Sequence, residues 1–159
     1  MNTLASTLLR SEGYCDLGMW KSAHEELDAL PPALRSHPDA LWRELKIFVG
    51  QKLWIKAARV GLSLCSRWPE RAAFFFETTF ALEQAGQIKE GLSLLRSAPS
   101  HIWNHAEAWY SLACINARMA QMEASRLALG RCFEIDQNWK FTAMYEPALA
   151  TLSQGTLSA

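Results

Sequence analysis

The chain has 159 residues, half of them hydrophobic, and its sixteen basic side chains are balanced by sixteen acidic ones. That length and apolar content suit one folded domain or a short helical array and exclude a disordered chain. A formal net charge of zero leaves no global field to hold a polyphosphate or an anionic membrane, so a general nucleic-acid binder is not expected.

The N-terminal stretch meets Arg10 and Glu12 before any apolar run reaches the length of a signal-peptide core. No later stretch approaches the roughly 20 apolar residues of a membrane span, so the expectation is a cytoplasmic protein without membrane insertion. Two helices are expected over residues 3–14 and 19–29, with Gly18 at the turn, where backbone freedom lets the chain reverse. The first unit therefore covers residues 4–31. Pro31 and Pro32 lack the amide hydrogen needed to continue its second helix. A short connector, residues 33–37, leads to Pro38 and Asp39, which suit the first turn of another helix.

In the second unit, residues 39–69, Trp42, Leu45, Val49, Ile55, Ala58 and Leu62 form an apolar stripe at helical spacing, and Leu53 takes the place of the turn glycine. The third unit, residues 72–99, turns at Gly86 and ends at Pro99. Before the fourth, residues 106–137, Asn104 stands three residues ahead of Glu107, the spacing of a capping box. In the tail, residues 138–159, Phe141, Met144 and Tyr145 suggest a last turn or two. Pro147 either breaks that helix or starts a second short one, and residues 153–159 read as frayed.

The units recur in register. Leu129, Leu95, Leu62 and Leu27 are separated by 34, 33 and 35 residues, as are Met122, Ile88, Ile55 and Trp20. The same steps give Ser125, Gly91, Ala58 and Ala23, small residues suited to a close helix crossing. Residues 106–137 resemble a tetratricopeptide-type helix-turn-helix unit at Trp109, Leu112, Ala113, Ala120, Leu129, Cys132 and Asp136. The aromatic position reads Trp109, Phe75, Trp42 and Thr7 through the four units. In the first unit Thr7 and Arg10 depart from the aromatic and leucine pattern, which suggests an N-terminal cap with one face to water. Lys46 stands in a slot that the family fills with a small residue, so its head must reach the surface or the helices must open.

The resemblance implies an all-α single domain: a right-handed α-solenoid of about four such repeats closed by a C-terminal capping helix. It also implies a concave groove lined by the first helix of each unit. Carried over residue by residue, the groove positions are Arg43, Ile47 and Gln51; Phe76, Phe80, Glu83 and Gln84; and Tyr110, Cys114, Ala117 and Arg118. The lysine, asparagine and arginine set with which some members clamp a terminal carboxylate is not present, since Ile47, Glu107 and Ser111 interrupt it. The expected groove is aromatic instead, with Phe76, Phe80 and Tyr110 central and Arg43 and Arg118 flanking. Against this stands the plainer reading that Phe76 and Phe80 only pack between neighbouring helices. Trp54, Trp68, Trp103 and Trp139 read as spacers near turns and helix ends.

No catalytic constellation is visible. His101 and His105 lie four apart without a third ligand in reach, and His24-Glu25-Glu26 is followed by Asp28 where a zinc-protease helix needs histidine. There is no glycine-rich phosphate loop and no nucleophile elbow. Cys15, Cys65, Cys114 and Cys132 form no CxxC pair and are expected to be reduced. Cys65 and Cys132 fall in a packed column, and Cys114, on the groove column, is the one expected to react. The functional expectation is a non-catalytic adaptor or scaffold, without cofactor or metal, that holds a peptide or partner helix. The alternative is a small tetratricopeptide chaperone of secreted or membrane-bound clients.

Overall fold

The computed structural model describes residues 3–150 and Leu152; residues 153–159, read above as frayed, lie outside them. The described residues form an all-helical fold without strands. In chain order the helices are α1 (Leu4–Asp16), α2 (Trp20–Asp28), α3 (Pro32–Arg35), α4 (Pro38–Gly50) and α5 (Trp54–Arg67). There follow α6 (Ala72–Gln84), α7 (Ile88–Arg96), α8 (Ala106–Arg118), α9 (Met122–Ile135) and α10 (Trp139–Met144). Single 3-10 turns occupy Ser100–Asn104 and Pro147–Leu149.

The helix boundaries keep an even spacing. The long first helices α1, α4, α6 and α8 start at Leu4, Pro38, Ala72 and Ala106, each 34 residues after the last, and their partners α2, α5, α7 and α9 start at the same interval. The turns between them share one backbone geometry. Gly18, Lys52, Gly86 and Ala120 all adopt positive φ, between 58° and 76°. Each is followed by a residue with φ between −90° and −85° and ψ between 58° and 67°, namely Met19, Leu53, Gln87 and Gln121. Three of the turns are closed alike: Met19, Leu53 and Gln121 donate their amides five residues back, to the carbonyls of Tyr14, Phe48 and Asn116. This is the Schellman arrangement, in which one left-handed residue satisfies the last free carbonyls of a helix.

This spacing corrects the register expected for the second unit. The turn residue in left-handed conformation is Lys52, not Leu53, and the partner of Trp20, Ile88 and Met122 is Trp54, not Ile55. Ile55 and Leu62 are accordingly exposed, while Ala57 and Gly61 are buried. Three smaller expectations change as well. The connector after Pro31 contains the one-turn helix α3. Helix α8 is capped by His105 without a side-chain cap hydrogen bond, so Asn104 forms no capping box. Thr7 is fully buried, as is Ser11, whose hydroxyl donates to Ala23 O at 2.9 Å. The short side chains of α1 thus bring it close to α2 rather than leaving a wet face.

The chain divides into two compact units, Met1–Ala85 and Gly86–Ala159. In the first, α1 packs on α2, α4 rests on both and on α5, and α5 packs on α6. Its core contains Ala23, Leu27, Leu30, Ala40 and Ile47. Polar links join α4 to α6 at the rim: Arg71 to Asp39 at 2.7 Å and Lys46 to Glu77 at 2.8 Å, with Trp42 against Phe74 between them at 5.2 Å. Lys46 therefore does carry its charge outward. In the second unit α8 packs on α7 and α9, and the C-terminal segment packs on α8 and α9. That segment contains α10 and, after it, a short 3-10 turn that Pro147 opens, the second of the two alternatives expected for Pro147.

Candidate functional site

The six expected groove residues fall in both units, Arg43, Ile47, Phe76 and Phe80 in the first and Tyr110 and Arg118 in the second. Their surroundings differ. Ile47 is fully buried in the core shared by α1, α2 and α4, so its side chain offers no surface. The even spacing explains why: Ile47 stands in register with Ala81 and Ile115, both also fully buried. Arg43 is largely covered and bonds Glu12 at 3.1 Å. The residues that share the positions of Phe76 and Phe80 on α4 are Trp42 and Lys46.

Phe76 is buried, as is Glu83, whereas Phe80 is 44% exposed. Phe80 stands edge-on to Trp54, with ring centroids 5.7 Å apart. Trp54 in turn lines an open cavity of about 600 Å³. Its wall is built by the α4–α5 turn and the start of α5, with Lys52, Leu53, Trp54, Ile55, Lys56 and Arg59, and is closed by the end of α6. Leu53 and Ile55 are exposed beside it. The left-handed turn at Lys52 leads into this surface, leaving Leu53 exposed and Trp54 half-buried directly after it. Sequence reading missed the cavity by counting Trp54 as a spacer.

On α8 the picture reverses. Tyr110, Cys114 and Ala117 face the C-terminal segment: Cys114 and Ala117 are buried in one cluster with Ala143, Leu149 and Leu152, and Tyr110 packs on the edge of that cluster. Tyr110 also meets the indole of Trp139 at 4.7 Å, and Arg118 reaches Glu146 at 3.5 Å. The expected groove face of α8 is thus covered by the chain's own tail. Cys114, expected to be the reactive thiol, is buried at 4% exposure, and Cys15 is the most accessible of the four cysteines. Burial pushes the Cys65 thiol up to about 11 and the Cys132 thiol up to about 12, and it raises that of Cys15 against the pull of Arg43.

Among the described residues no group of His, Cys, Asp and Glu is placed to hold a metal ion, and no helix is long and apolar enough to cross a membrane. Compared with known proteins, the chain matches no protein-family model, and no curated protein matches it significantly.

Proposed function

We propose that this chain is a tetratricopeptide-like helical-repeat protein, four helix pairs wound as a right-handed α-solenoid, that works without catalysis by holding a protein or peptide partner. The even 34-residue spacing of the helix starts supports the repeat reading. The observation that carries the binding reading is Phe80, an aromatic side chain left 44% exposed and packed edge-on against Trp54, which itself lines an apolar cavity. Aromatic anchors in concave, apolar surfaces dominate peptide recognition, and a residue that met only water at this position would need no ring. Of the groove expected from sequence, Phe80 is the part retained; Ile47 and Phe76 contribute packing, and Tyr110 and Arg118 hold the tail.

The test pairs stability with binding. Phe80→Ser and Trp54→Ser are compared with the wild type by thermal melting and by capture of partners from the native host. Loss of a captured partner with the melting midpoint preserved supports the reading. Unchanged capture by both variants removes it.

A further inference from the structure

Lys52, Lys56 and Arg59 all line the same apolar cavity, and none of the three forms an ion pair with a carboxylate among the described residues. Elsewhere on the first unit Arg10 pairs with Glu26, Lys21 with Glu25, Arg43 with Glu12, Lys46 with Glu77 and Arg71 with Asp39, while Arg35 bonds the Leu30 carbonyl and Arg67 lies over the Trp68 ring. In a chain whose formal charge is zero, this cavity is a local surplus of positive charge around exposed Leu53 and Ile55 and half-buried Trp54. The Lys56 ammonium lies 5.7 Å from the Phe48 ring.

We propose that the cavity binds an acidic peptide segment with a large apolar anchor: the anchor enters between Trp54 and Ile55, and carboxylates on either side meet Lys52, Lys56 and Arg59. The inference rests on the protein-interaction reading and names the partner's chemistry. Lys56 and Arg59 are one helical turn apart on α5, so their heads lie on one side. Lys52, in the turn just before α5, adds a third cation at the other end of the cavity wall. A concave apolar wall fits an inserted side chain better than a flat lipid surface. Three cations are fewer than the roughly 6 to 10 phosphate contacts behind strong nucleic-acid binding. Positive charge at the rim selects the partner and speeds encounter, while the buried anchor supplies affinity.

The experiment uses the full chain and peptides selected on it from an unbiased displayed library, then synthesised with a fluorophore and titrated by anisotropy. Enriched peptides are expected to carry a Trp, Phe or Leu flanked by Asp or Glu. The double variant Lys56→Glu, Arg59→Glu, on an exposed helix face, should bind them at least tenfold more weakly at low salt while melting like wild type. It should regain binding to the same peptides with their acidic residues replaced by Lys. Higher salt should weaken the wild-type complex. Enriched peptides that are neutral or basic, or that ignore the charge reversal, overturn this inference and leave the interaction reading standing. No enrichment over bare support overturns both. Binding to phosphatidylserine vesicles or to a 20-nucleotide single strand in preference to the selected peptides overturns it in favour of that ligand.

Discussion

Gly61 on α5 faces Thr78 on α6 with no room for a side chain: a Cβ at Gly61 would overlap both Oγ1 and Cβ of Thr78. Thr78 cannot step aside cheaply. Its hydroxyl donates to Phe74 O and accepts from Cys65 Sγ at 3.6 Å, and it is fully buried. Gly61→Ala is therefore expected to destabilise the first unit by about 1–3 kcal/mol through overpacking. Gly130, inside α9 with nothing near its missing Cβ, is the control, and Gly130→Ala should stabilise by up to about 1 kcal/mol. Thermal melts of the two variants should move in opposite directions; equal shifts would contradict the close crossing.

The same glycine shows what was legible in the sequence and what was not. The helix pairs, the turns at Gly18 and Gly86 and the proline at the start of α4 were readable, because proline, glycine and helical periodicity act locally. The register of the second unit was not. Leu62 and Ile55 look like better core residues than Gly61 and Trp54, and only the crossing of α5 with α6 makes glycine the buried choice. A one-residue slip on a helix turns a side chain by about 100°, and this carried Arg43 and Ile47 onto a face they do not share with Phe76 and Phe80. The cover over Tyr110 and Cys114 was equally illegible, since a tail's docking depends on contacts distant in sequence.

The four left-handed turn residues should respond to substitution with opposite signs. Gly18 and Gly86 occupy this conformation freely, whereas Lys52 and Ala120 hold it against the clash of Cβ with the backbone. Gly86→Ala is expected to cost about 1 kcal/mol. Ala120→Gly should be neutral or stabilise by up to about 1 kcal/mol, because relieved strain outweighs the extra freedom of the unfolded chain. Chemical denaturation with unchanged slope for both variants checks this; a loss on Ala120→Gly would contradict the assigned turn.

Thiol labelling should follow burial. At pH 8 Cys15 is expected to alkylate first, while Cys65, Cys114 and Cys132 react only after unfolding. The raised thiols of Cys65, about 11, and Cys132, about 12, also make stability fall on the alkaline side. Their folded values lie above the unfolded value of 9.0, so the stability they contribute is full below pH 9 and is lost as pH rises through about 11 to 12. Melting midpoints measured from pH 8 to 11 should fall above pH 9, and replacing both cysteines by Ala should flatten that part of the curve.

Leu149 fixes the tail on α8. It is fully buried with Ala143 and Leu152 against Cys114 and Ala117, and Glu146 holds the start of its turn by accepting from the Ala148 amide at 3.2 Å while pairing with Arg118. Removing a buried leucine side chain from such a site costs about 2–5 kcal/mol in lost burial and residual cavity. Leu149→Ala is therefore expected to lower the melting midpoint and to loosen the segment over α8 before the helices themselves open. Two readouts separate a local effect from general unfolding. Cys114 should become alkylable at neutral pH while Cys65, in the first unit, stays protected, and Trp139 fluorescence should shift as its contact with Tyr110 at 4.7 Å is released. Equal labelling of Cys65 and Cys114 would mean that the variant unfolds as a whole. Protection of Cys114 in a variant that still loses stability would mean that the tail is held by α10 and the Tyr110–Trp139 contact rather than by Leu149.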